Sequence, residues 1–283
     1  DAALVRGVYA ISGGLGGLGL SAAAHVLASG AAGVMLSSRS GCVGRAGQGL
    51  EAQLSTLSTN ALVATSACDV GDAADALVLL SYSCPSTGLH AAGMLRDKLL
   101  RVMFASDLDA SFAPKALAAS HVHATTACML LEALGLFSSV ASTFGNVGQA
   151  NYAAANAHLD ALASCRRRHG CLASSLQIPA VSGAGMGAST FNDQQLDAMG
   201  AISLREFAAW LLHCLTPALA TAERTQACLS LWVVEGMGPG SALAETQPRA
   251  GLAPACEEEA LLMQQETTLP RSSGQYVRFK LAA

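Results

Sequence analysis

Residues Val8–Ser38 read VYAISGGLGGLGLSAAAHVLASGAAGVMLSS. The run divides into a β-rich stretch (Val8 to Ser12), a glycine turn (Gly13-Gly14-Leu15-Gly16-Gly17-Leu18-Gly19), a helix from about Leu18 to Ser29, a break at Gly30 and a second strand from Gly33 to Ser37. This βαβ start predicts a parallel sheet with helical crossovers. Glycines at such a turn let backbone amides approach a pyrophosphate at a helix N-terminus, where the dipole favours anions. A glycine-rich turn alone is equally compatible with a flexible loop; the strand before it and the helix after it give it weight. No Asp, Glu, Lys or Arg occurs from Gly7 to Ser38. Gly7, 13, 14, 16, 17, 19, 30 and 33 break the run, so it is not read as a membrane span.

Outward from this unit, Arg39 follows the second strand. An acidic residue there suits the ribose of NAD and a basic one the 2′-phosphate of NADP. With serine at 37, 38 and 40, Ser38-Arg39 points to NADPH, a solvated loop arginine being the alternative. A helix is predicted around Leu50 to Leu57 and a third strand from Leu62 to Ala67, ending in Cys68-Asp69-Val70. Asp69 is placed to accept from an adenine amine, or else to cap the helix expected from Gly71 to Leu80. A fourth strand, Thr87 to Ala91, runs into Ala92-Gly93, small residues that let a ribose pass close to the backbone.

The helical region from Ala105 to Met129 is interrupted at Pro114 and carries Lys115. A lysine beside a nicotinamide can lower a tyrosine pKa; a surface lysine is the plain alternative. His121 and His123, two apart on a helix, do not share a face and make a poor metal pair. A fifth strand, Glu132 to Ser139, a glycine-rich loop and a helix from about Ala150 to His169 bring Ser139, Tyr152 and Asn156 together. Tyr152 and Asn156 lie one helical turn apart on one face. Converging Ser and Tyr hydroxyls can polarise a carbonyl, with the tyrosine as general acid.

A sixth strand (Ala173 to Ile178) leads to a glycine-rich Pro179–Gly187 loop able to act as a lid. Helices are expected at Thr190–Met199 and Leu204–Leu215, and a seventh strand at Ala227–Val234. The fold class is thus α/β: a Rossmann-type doubly wound parallel sheet of about seven strands between two helical layers. It spans 1–235, and 236–283 is a largely irregular linker containing Pro239, Pro248, Pro254 and Pro270.

The 283 residues carry a net charge of −4, 13% charged side chains and 52% hydrophobic ones. That excludes a disordered chain and a nucleic-acid surface, and Arg166-Arg167-Arg168 reads as a solvated helix end. Nine cysteines without CxxC pairing read as reduced thiols, in the cytoplasm or, in an alga, an organelle stroma. No secretory signal is visible, and the chain is read as a piece of something longer.

These residues resemble the ketoreductase domain of modular type I polyketide synthases, a branch of the short-chain dehydrogenases/reductases. The matching segments are SGGLGGLG from Ser12, Ser38–Gly41, Cys68–Val70, HAAGMLRD from His90, Ala113-Pro114-Lys115, Phe137–Ser139 and GQANYAAANAHLDAL from Gly148. They stand in family order from Tyr9 to about Val233. The GQANYAAAN block is highly specific.

The resemblance implies Tyr152 as proton donor, Ser139 as the residue bonding the ketone oxygen, and Asn156 and Lys115 in the exchanged positions that mark polyketide ketoreductases. It also implies NADPH, a carrier protein bringing a 3-oxoacyl group on its phosphopantetheine arm, and neighbouring synthase domains. Asp97, Phe144 and Gln149 fall at substrate or stereocontrol positions. Asp97 matches the end of the Leu-Asp-Asp signature of B-type domains, though its neighbour is Arg96; position 144 is Phe, not the Trp of A-type domains. Leu95-Arg96-Asp97 is also similar to animal fatty acid synthase ketoreductases. Gln177-Ile178-Pro179-Ala180-Val181 replaces the family's Trp-Gly-Pro-Trp-like run, which admits a second reading: a catalytically impaired, reductase-like scaffold within a megasynthase. The Asn156/Lys115 exchange argues against a free-standing reductase of small ketones.

Overall fold

The computed structural model describes residues 6–215, apart from 45–47, 128 and 130. All of these belong to one compact unit, Asp1–Gln247. The expected seventh strand and the 236–283 linker lie outside the described residues.

Six parallel strands form one sheet: β1 (Val8–Ser12), β2 (Gly33–Ser38), β3 (Val63–Ala67), β4 (Thr87–His90), β5 (Ala133–Ser139) and β6 (Ala173–Ile178). Their order is β3-β2-β1-β4-β5-β6. The direction of winding reverses between β1 and β4, where Ser12 stands beside His90. In open α/β sheets ligands bind outside the strands' carboxyl ends at this switch point.

Alternation along the strands feeds two cores. Tyr9, Ile11, Leu36, Leu89 and Phe137 pack towards α1 (Gly17–Ala28), α2 (Leu50–Asn60) and α10 (Leu204–Leu215). The Phe137 ring meets Phe207 of α10 edge-on at 5.6 Å. Ala10, Leu134 and Leu136 pack on the other face against α3 (Ala73–Ser83), α5 (Ala118–Thr126) and α7 (Ala150–Arg168).

The expected interruption of the 105–129 helix at Pro114 is a π-turn at Ala113–Leu117 between α4 (Ala105–Phe112) and α5, because Pro114 has no N–H to give the helical ladder. Two expectations change. The 190–199 helix is shorter, α9 (Asp193–Ala198), and a further short helix, α8 (Gly185–Thr190), begins inside the expected 179–187 loop. Asn192 between them is extended and its side chain accepts from Gln195 N, starting α9 afresh. The arginine cluster is a solvated end only in part: Arg168 is exposed, but Arg166 is 3% exposed and donates to Thr126 Oγ1, and Arg167 donates to Ala173 O. Position 166 falls on the buried stripe of Leu159, Leu162 and Ala163.

Candidate active site

The glycine turn is shaped by close approach. Gly13 has φ +70°, and a Cβ on it would lie 2.6 Å from Ala92 N. A Cβ on Gly17 would lie 2.3 Å from Gly185 N, at the start of α8. The turn is thus locked between the end of β4 and the segment after β6. α1 begins with Gly16 as N-cap; no side chain caps it and no acid lies in its first turn. Its leading amides and positive dipole end are therefore available to an anion. The residues here fit the pyrophosphate of a dinucleotide. Arg39 is exposed at the end of β2, on the same sheet edge. Asp69 does not cap α3; that role is taken by Asp72, which accepts from Ala74 N and Asp75 N. Asp69 is exposed and accepts from Gly71 N at 3.0 Å, bracing the turn that carries Val70.

The adjoining cleft, about 760 Å³, is lined by Leu18, Ala91 and Gly93 on the nucleotide side and by Lys115, Ser139 and Tyr152 at its centre. Phe144, Gln149 and Leu95 line it further out, with Phe191 and Met199, which sequence reading does not single out. Strand β5 delivers Ser139 at its last residue. Its Oγ accepts from Ala141 N at 3.2 Å, so its own proton can be donated towards Tyr152 or a carbonyl in the cleft. The Ser138 hydroxyl donates to Asn156 O and joins β5 to α7.

On α7, Tyr152 is 9% exposed and Asn156 fully buried. Asn156 Nδ2 donates to Tyr152 O at 2.8 Å, and its Oδ1 is buried without a hydrogen-bond partner. That orphan acceptor beside the tyrosine suits a proton relay.

Lys115 is 3% exposed. Its Nζ donates to Phe137 O at 2.6 Å and stands 5.4 Å from the centre of the Tyr152 ring. The surface alternative is excluded. Burial pushes the Lys115 amine down to about 7, against a smaller upward pull from Asp160. Tyr152 moves the opposite way from the sequence expectation: burial raises the phenol, and the Asn156 and Ser139 side chains draw it only part of the way back.

Asp97 is not among the cleft-lining residues. It is exposed at the rim, where its Oδ2 accepts from Gln149 Nε2 at 2.9 Å. Lys98 N donates to Gly148 O alongside. Asn151, next to Tyr152, fastens the same loop through Arg96 O and ties it to α4 through Asp107 O and Ser111 Oγ. Gln177, in the altered run, has a definite place: it donates to Asp160 Oδ2 and Ser142 Oγ and accepts from Thr143 Oγ1. Ser142 in turn contacts Asp160 and Ser139 O, so this network buttresses the serine-bearing turn from behind. His121 and His123 point apart, to Val70 O and to Arg166.

The KR domain family matches residues 7–183. Polyketide synthase GfsA from Streptomyces halstedii is 42% identical over 177 residues, which is 60% of this chain and 2% of that protein. Spectinabilin polyketide synthase system protein NorB from Streptomyces orinoci is 39% identical over 196 residues, 68% of this chain and 9% of that one. Among solved structures, the first ketoreductase of the tylosin polyketide synthase superposes with a TM-score of 0.66 at 32% identity, over 76% of this chain and 48% of that one. An A1-type ketoreductase gives 0.69 at 29% identity, over 92% and 56%. This chain therefore spans a small fraction of the synthases it matches and about half of the solved ketoreductases. With this match over the residues that build the sheet, the glycine turn and the Ser139–Tyr152 corner, the chain belongs to the KR domain family, the polyketide-synthase ketoreductases of the short-chain dehydrogenase/reductase superfamily.

Proposed function

We propose that this domain reduces the β-keto group of a 3-oxoacyl thioester, carried on the phosphopantetheine arm of an acyl carrier protein within a polyketide or fatty acid synthase, using NADPH. The observation that carries the reading is the buried Lys115 amine beside the Tyr152 ring, in one cleft with Ser139 and the glycine turn. NADPH, when bound, supplies the hydride. The amides that open α1 would hold its pyrophosphate and Arg39 its 2′-phosphate, while the Asp69-Val70 turn would meet its adenine and Ala91–Gly93 its ribose.

Ser139 donates its proton to the ketone oxygen and fixes the carbonyl. Tyr152 transfers its phenolic proton to that oxygen as the alcohol forms; a phenol kept protonated by burial is the form a general acid needs. Lys115, when protonated, returns a proton to the tyrosine, and the free Oδ1 of Asn156, an acceptor, can hold the donor that replenishes it. Asp97 and Phe144 favour the B-type outcome, a D-configured β-hydroxyl, with Asp97 acting at the rim through Gln149.

The test follows NADPH absorbance with a diketide thioester. Tyr152→Phe, which keeps the ring, is expected to lower kcat about a hundredfold or more with the fold intact; undiminished turnover would refute the assignment. NADPH fluorescence titration separates the reductase from a scaffold, which need not bind cofactor. Chiral chromatography of the product reads its configuration.

A further inference from the structure

At the switch point, one buried side chain contacts both the sheet and the turn that bears Lys115. His90 ends β4 and is fully buried. Its Nδ1 lies 2.6 Å from Ser12 Oγ, at the end of β1, and its Nε2 lies 3.0 Å from the main-chain carbonyl of Lys115. A carbonyl only accepts, so Nε2 bears the proton, and Nδ1 accepts from the serine hydroxyl. Both ring nitrogens are satisfied in one tautomer. Burial, then the nearby Lys115 charge, push His90 down to about 3, so the ring stays neutral through the working range.

The Lys115 carbonyl lies within the π-turn, where the regular ladder is interrupted: Ala118 N reaches back to Ala113 O and also to Lys115 O. A widened turn is less determined by its own hydrogen bonds than an α-helix, so an outside contact has more say in where its side chains point. His90 is that contact, and it meets the residue whose amine reaches Tyr152.

We propose that His90 is a positioning residue for Lys115: its neutral imidazole, bridging the Ser12 hydroxyl and the Lys115 carbonyl, holds the π-turn so that the amine stays buried beside Tyr152. This rests on the reductase reading for its catalytic meaning, but not for its geometry. The titratable groups facing Lys115 are His90 on β4 and Tyr152 and Asp160 on α7; β5 presents the Phe137 carbonyl.

The experiment compares the domain with its His90→Phe, His90→Asn and Ser12→Ala variants, each checked for folding by circular dichroism. The chain has only three lysines, Lys98, Lys115 and Lys280, so 15N-lysine NMR follows the Lys115 amine directly through a pH titration. In His90→Phe the Lys115 inflection is expected to move upward by at least about one unit, as the amine gains access to water. The kcat for NADPH-dependent reduction is expected to fall about tenfold or more, while KM for the thioester stays within about twofold. The pH inflection of kcat moves with the NMR value. His90→Asn, which keeps a donor for the carbonyl, recovers part of both effects. An unchanged Lys115 inflection in folded His90→Phe, even with lowered kcat, overturns the proposal and leaves His90 structural only. If the parent domain shows no turnover, the reductase reading fails while the NMR titration still decides this one. Should His90→Phe not fold, Ser12→Ala, which removes only the bond to Nδ1, takes its place with the same readouts.

Discussion

Around Gly13–Gly19 the chain is shaped by side chains that are missing; around Ser139–Asn156 it is shaped by side chains that bond. In the first region, backbone meets backbone: Gly13 against Ala92, Gly17 against Gly185, Gly19 against Gly13. In the second, Ser138, Ser139, Asn156 and Lys115 each place a polar atom on the main chain of another element or turn. The lesson is one of failure modes. The cradle breaks when atoms are added, whereas the catalytic corner breaks when polar atoms lose partners. The first kind of damage is steric and reaches the cofactor; the second is electrostatic and reaches the proton.

Gly17→Ala presses hardest on this contrast. Its Cβ has no room against the Gly185 backbone, so the start of α8 must move. Overpacking of this kind costs about 1–3 kcal/mol. Thermal denaturation is expected to show that loss, and fluorescence titration a weaker NADPH complex.

Lys115→Met tests the corner in the opposite sense. The folded-state value of Lys115 lies near 7 against an ordinary 10.5, so between these limits the unfolded chain holds more protons than the folded one. Burying the amine therefore costs stability in full below about pH 7, and the cost fades as pH rises towards 10.5. The variant is expected to be inactive yet more stable at pH 6, on the order of 2 kcal/mol. The gain shrinks on approach to pH 10, and Tm measured against pH checks the sign.

Arg39→Asp addresses the rim of the cradle, where charge rather than shape acts. KM for NADPH is expected to rise about tenfold or more while KM for NADH falls, since the carboxylate repels the 2′-phosphate but can accept from a free ribose hydroxyl. The smallest effect belongs to Gly30→Ala. Gly30 has φ +104°, but a Cβ there meets nothing within 4 Å. Only backbone strain is added, about 1 kcal/mol, and turnover should not change. If Gly30→Ala and Gly17→Ala proved equally damaging, close approach would not be what distinguishes the cradle.

Much of this was legible beforehand because it is local. The βαβ opening, the Pro114 interruption and the Tyr152–Asn156 spacing follow from neighbours in sequence, where period and turn chemistry act directly. The strands from β1 to β6 lie within a residue or so of their expected places for the same reason. Cleft residues such as Phe191 and Met199 do not stand out in the sequence, because an apolar residue lining a cleft looks like one in a core. The burial of Arg166 escaped because three consecutive arginines suggest solvent, and only the partner elements α5 and β6 show which one turns inward.

What the sequence alone determined is the order of elements, the glycine turn and that Tyr152 and Asn156 share a helical face, all consequences of backbone period and of residues lacking a Cβ or an N–H. What only the tertiary structure decided is the electrostatic state of the site. Lys115, Phe137, Tyr152 and His90 are far apart along the chain, and the amine is pushed down to about 7 only where β4, β5, the π-turn and α7 close around it. Burial belongs to the assembled layers and not to any one segment, and burial is what moves a proton.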